Sequence, residues 1–177
     1  MGRTFSLRGI ITQDDNALGQ HNQILEYESP DRTKGWRIKE AYLWPKQWLE
    51  DIGGTDGQYG LAAHLSTDQW TIAGFNEYMD VGDNRQCAWL DKQMIMRHDA
   101  SGDMLVPAGG NNFMQRFVID PDTTVSVALY LAFVGKTEFS TSPSREWNYL
   151  IILEETPLAP AESVFLQIKG MGQDITL

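Results

Sequence analysis

The sequence predicts an all-β protein: one antiparallel two-sheet β-sandwich, jelly-roll-like, with a short C-terminal helix, spanning residues 1–177 as a single domain. Three observations predict it. Turn-forming clusters recur along the chain, as TQDDNALG, SPDRTKG, GGTDGQYG, VGDN, DASGD, PAGGNN, DPDT and STSPS. These are the residue types that supply positive φ, fixed φ or local side-chain hydrogen bonds. The stretches between them alternate with period two or are apolar on both faces. Strands do not alternate with long helices, which removes α/β folds. A chain of 177 residues buries roughly 70% of its unfolded surface, so it needs no disulfide or metal to fold.

The elements follow in order. Thr4–Ile11 and Gln23–Glu28 are weaker strand candidates. In GWRIKEAYLWP, Trp36, Ile38, Tyr42 and Trp44 fall on one face and Arg37 and Lys39 on the other. Glu40 breaks that apolar face, which suggests a partner or an edge. KQWLEDIGG, 46–54, could form one or two helical turns ending at glycine. Gly60–Leu65, Gln69–Ala73 and Cys87–Met96 are further weak strands. Phe113, Gln115, Phe117 and Ile119 alternate as a strand does. Thr124–Val134 puts Val125, Val127, Leu129, Leu131 and Phe133 on one side. Its other face, Ser126, Ala128, Tyr130 and Ala132, is small enough to sit under a second layer. NYLIILEE, 148–155, is apolar on both faces and predicts a central strand. In PAESVFLQIKGMG, Pro160 and Glu162 suit a helix start, and Val164, Phe165, Ile168 and Met171 form one stripe. Strand propensity alone does not separate the favoured jelly roll from an immunoglobulin-like sandwich or a barrel.

Charge bounds the function. The chain carries 24 acids against 14 bases, a net −10, and its bases do not cluster. A nucleic-acid reader needs a basic face, so direct nucleic-acid binding is not expected. No run of 18 apolar residues occurs, so no membrane span is expected. MGRTFSLRGI lacks the apolar core of a secretory leader, although MGRTFS fits the loose myristoylation pattern. One cysteine excludes an intrachain disulfide and a multi-cysteine zinc site.

The densest polar run is VGDNRQCAW, 81–89, with Asp83, Asn84, Arg85, Gln86, Cys87 and Trp89. Asp80 and Asp91 have the end-to-end spacing of a calcium loop, but Gly82 and Arg85 stand where a ligand and the turn glycine belong. Cys87 as a nucleophile needs a nearby histidine, and His21, His64 and His98 all lie far off in sequence without metal spacing. The run therefore predicts a polar turn entering a strand, with Arg85 pairing Asp83 or an acid on a neighbouring strand. Asp120-Pro121-Asp122-Thr123 predicts another turn, whose carboxylates could hold calcium. Glu154 and Glu155 point to opposite faces of a strand and cannot form a glycosidase pair. Trp44, Trp48, Trp70 and Trp147 are candidate sugar-stacking residues, with Trp147 the most exposed by its position after STSPSRE. No residue is assigned a catalytic, cofactor-binding or metal role.

GWRIKEAYLWP, GDNRQCAW and IDPDTTV followed by NYLIILEETPLAPAESVFLQIKGMGQD occur in that order across most of the chain. Together they resemble small structural proteins of environmental, chiefly marine, bacteriophages. The resemblance implies a non-enzymatic virion component, capsid or capsid-associated, made in the host cytoplasm. It implies self-association into a homo-oligomer or lattice and contact with other virion proteins, and no catalytic residue. One departure is that MGRTFSLRGIITQDD is too short and acidic for a genome-binding basic arm. Arg85, Trp89, Trp147 and Trp44 are the interface candidates, since Arg and Trp are enriched at interface hot spots. The alternative is a carbohydrate- or receptor-binding β-sandwich module, and a third reading is a hydrolase whose carboxylates only the fold brings together.

Overall fold

The computed structural model describes residues 2–13, 21–26, 33–46, 57–69, 79–98, 104–105, 114–137, 145–159, 161 and 164–165. The strands are β1 (Thr4–Gln13), β2 (His21–Glu26), β3 (Lys34–Pro45), β4 (Gly57–Ser66), β5 (Gln86–His98) and β6 (Met104–Leu105). They continue with β7 (Gln115–Arg116), β8 (Val118–Ile119), β9 (Thr124–Val125), β10 (Ala128–Thr137) and β11 (Arg145–Pro157). All pairings are antiparallel.

Two sheets result. The first runs β1-β11-β3-β7, with β9 also on β3; the second runs β2-β10-β4-β5-β6, with β8 also on β5. The long strands pair in a nested way: β1 with β11, β2 with β10, β3 with β7, and β4 with β5. The chain is in effect one long hairpin wrapped across two layers, which is the jelly-roll order. The NYLIILEE strand lies between β1 and β3, so both of its ladders are occupied, as its two apolar faces predict.

The core fills the space between the sheets. Leu43, Trp147, Ile151 and Leu153 of the first sheet meet Leu65, Leu90, Leu129, Leu131 and Phe133 of the second. Trp147 stacks edge-on against Phe133, with centroids 6.0 Å apart. Residues 115–120 stitch one side closed. Gln115 and Arg116 pair with β3, the Phe117 amide donates to the Ala41 carbonyl (3.0 Å), and Val118 and Ile119 pair with β5. Phe117 is buried between the two attachments. The second, small face of β10 is covered as expected: Ala132 and Val134 are buried beneath Met79 of the β4–β5 connection.

Three expectations are corrected. In β3, Ile152 of β11 pairs with Glu40 and Leu153 with Ile38, so Lys39 is an extra, bulged residue. The bulge flips the side-chain phase: Ile38 points to the core, but beyond it Ala41 and Leu43 do, and Tyr42 and Trp44 face outward. Val127 is 56% exposed because a bend at 126–127 separates β9 from β10. Trp147 is 2% exposed, because residue 147 holds an inward position of β11. The 46–54 turn, most of Gln69–Ala73, and most of the C-terminal helix lie outside the described residues, and no such helix is established. Val164 and Phe165 of its expected stripe are exposed.

Candidate functional site

The outer side of the second sheet carries a buried polar layer. The strand order β2-β10-β4-β5 sets His21, Ala132, His64 and Trp89 in one row. Ala132 is too small to separate its neighbours, so the two imidazoles meet above it. Their Nε2 atoms are 3.3 Å apart and the rings lie edge to face at 5.3 Å. His64 has no exposed surface.

The VGDNRQCAW run folds over this row as two successive turns. The Asp83 amide donates to the Asp80 carbonyl and the Gln86 amide to the Asp83 carbonyl, each at 3.0 Å. Asp80 Oδ1 accepts from the Gly82 amide (2.9 Å), and Asp83 Oδ1 from the Arg85 amide (3.0 Å). These aspartate side chains fix the turn by accepting from amides two residues on. The Arg85 guanidinium closes on Asp83, donating from Nε at 2.9 and 3.1 Å and from Nη2 at 2.6 Å. Burial pushes the Asp83 carboxyl up. The side-chain and backbone hydrogen bonds and the charge of Arg85 outweigh that, with help from His64, and hold it below the usual carboxylate value. Gln86 Oε1 accepts from Trp89 Nε1 (2.7 Å) and from the Asp80 amide (3.1 Å), which locks the turn to the strand. The Thr67 amide donates to the Arg85 carbonyl (2.9 Å), which ties the turn to the end of β4.

Cys87 lies on the other side. It is the residue doubled at the bulge where Leu65 pairs with Ala88 and Ser66 with Gln86. Its buried thiol donates to the Leu65 carbonyl at 3.3 Å. The thiol and the imidazoles therefore sit on opposite faces of the sheet. Among the described residues, no group of three His, Cys, Asp or Glu side chains could hold a metal. Asp120 is committed to its turn: it accepts from the Asp122 amide (3.0 Å) and the Thr123 hydroxyl (2.5 Å).

The outer side of the first sheet is different in kind. One row crosses four of its five strands: Arg8, Leu150, Tyr42 and Arg116. Beside it lies the row Ile10, Asn148 and Trp44. Ile10 is 49% exposed, and Leu150, Tyr42 and Trp44 are half-buried. The Tyr42 hydroxyl donates to Glu40 Oε2 at 2.8 Å, and that bond, with burial, raises its pKa. Lys39 and Glu154 pair at 2.8 Å, which holds the Glu154 carboxyl low.

The four interface candidates are thus dispersed. Arg85 and Trp89 hold the polar layer together, Trp147 is core, and Trp44 lies on the outer face of the first sheet. Trp48 and Trp70 fall outside the described residues. The histidine pair was not legible in advance, because its members lie 43 residues apart and only the strand pairing unites them. No described helix is long and apolar enough to cross a membrane.

No protein-family model matches the chain, and no curated protein matches it. Among solved structures, it is similar to a chain of Desmodium yellow mottle tymovirus, at 13% identity over 90% of each chain, with a TM-score of 0.33. It is also similar to a chain of infectious bursal disease virus, Gx strain, at 10% identity with a TM-score of 0.18. That alignment covers 99% of this chain and 49% of the other, so the chain spans about half the length of that structure.

Proposed function

We propose that the chain is a non-enzymatic structural protein of a bacteriophage virion, a capsid or capsid-associated component that self-assembles. The observation that carries this reading is the nested strand order, because the jelly roll is an architecture of viral capsid domains. The fold also hosts lectins and other functions, so the order alone does not select among them. Two further features favour assembly. The first sheet presents aromatic, aliphatic and arginine side chains together on its outer face, the composition of a subunit contact. The polar turn of the second sheet is engaged in holding the fold, with the Arg85 guanidinium donating to both carboxylate oxygens of Asp83. The likeness of three segments to phage structural proteins supports the phage assignment.

Light scattering on size-exclusion fractions tests it. The expected species is a multiple of the 20.0 kDa chain. A strictly monomeric species at high concentration, with no bound virion protein, sinks the proposal. The carbohydrate-binding alternative lost its leading residue when Trp147 proved to be core. Glycan-array binding abolished by Trp44→Ala would favour that alternative.

A further inference from the structure

We infer that the outer face of the first sheet is one half of a head-to-tail contact, and that its occupant is the acidic side of a second copy of this chain. The inference rests on the self-assembly proposed above and names the surfaces.

The row Arg8–Leu150–Tyr42–Arg116 crosses the middle of this face. It is apolar in the middle and cationic at both ends. Arg8 and Arg116 are exposed, and among the described residues neither has an ion-pair partner. Ile10 and Trp44 widen the apolar centre along the neighbouring row. Arginine beside half-buried aromatic surface is the composition that distinguishes interface cores from ordinary surface.

Charge then selects the occupant. This face holds five cations, Arg8, Arg37, Lys39, Lys46 and Arg116, against three anions, Glu40, Glu146 and Glu154, within a chain of 14 bases and 24 acids. Its surroundings are therefore acidic. On the other side of the sandwich Asp91 projects from the outer face of β5. Exposed Asp80 lies in the turn before the same strand, and exposed Asp122 lies at the adjoining rim, in the turn from β8 on this sheet to β9 on the first. Two copies of the cationic face would repel one another, which rules against an isologous two-fold contact through it. A cationic face against the acidic side of a second copy is attractive and heterologous. Such a contact repeats into a ring or an open array.

The test is a charge-swap complementation. One variant carries Arg8→Glu and Arg116→Glu, the other Asp91→Lys and Asp122→Lys. None of the four side chains is buried in the core, and melting temperatures confirm that both variants fold. Light scattering reads the assembled mass of each variant and of an equimolar mixture. Each variant alone sets like charge against like. Its half-assembly concentration should therefore rise by about tenfold or more, since like-charge juxtaposition is costly. The mixture places the acidic face of one variant against the basic side of the other, so assembly should return. Wild-type-like assembly of the Arg8→Glu/Arg116→Glu variant, or a mixture no better than its parts, overturns this contact and leaves self-assembly standing. A wild-type chain that stays monomeric removes both.

Discussion

Arg85→Ala removes the three donations that the guanidinium makes to Asp83, at 2.6, 2.9 and 3.1 Å. The two side chains are only 25% and 15% exposed, so water replaces the lost partner poorly. The Arg85 amide still donates to Asp83 Oδ1 in the variant, because that bond is to backbone. Hydrogen bonds to a charged group contribute roughly 1.5–3 kcal/mol, and three that share one ion pair act as one strong unit, so the expected loss is about 2 kcal/mol. At roughly 2–4 °C per kcal/mol for a chain of this size, melting should fall by about 4–8 °C. Asp83→Ala should cost a similar amount, and the double variant less than the sum, with a coupling of about 1–2 kcal/mol. Urea unfolding of the four proteins measures the cycle. The sign with pH is fixed by the lowered Asp83 carboxyl. Its contribution is present above the unfolded aspartate value of about 3.9 and is lost as pH falls through the folded value. That acid limb should flatten in Arg85→Ala. A loss under about 0.5 kcal/mol, or strictly additive variants, would refute the role assigned to the pair.

Trp147→Ala should destabilise by about 3–5 kcal/mol in chemical denaturation, because it empties the contact with Phe133 at the centre of the core; a surface-like loss would contradict its placement. At Gly9 an added Cβ would lie 2.6–2.9 Å from the hydroxyl and ring of Tyr149. Gly9→Val should therefore lower stability by roughly 1–3 kcal/mol, and that cost should shrink when the same change is made in a Tyr149→Ala background, which calorimetry can read.

What could be read in advance was local. The turns in VGDN and DPDT were legible because Gly, Asn, Asp and Pro cluster there, and an Asp side chain accepts from the amide two residues on. NYLIILEE was legible as a central strand because edge strands are commonly blunted with charge or proline, and this run carries neither before Glu154. The pairing of Arg85 with Asp83 was also within reach of spacing alone. The faces of β3 were not. Glu40 signalled an irregularity, but it does not say which residue is doubled, and doubling Lys39 reverses every position beyond it. Trp147 followed a polar loop and so looked exposed, whereas strand phase set it inward. The meeting of His21 and His64 depends on Ala132, a residue of a third strand.

The nested pairing also sets an order in time. β4 and β5 are neighbours in the chain and can close first; every later pair encloses the one before it, ending with Thr4 against Glu154. Loop closure favours this inside-out zipping, and contacts between distant segments are slow to form. On a ribosome β1, β2 and β3 emerge long before β11, β10 and β7 exist to receive them. The earliest strands made are the last to find their places, and while they wait their open edges are exposed to other nascent copies of the same chain.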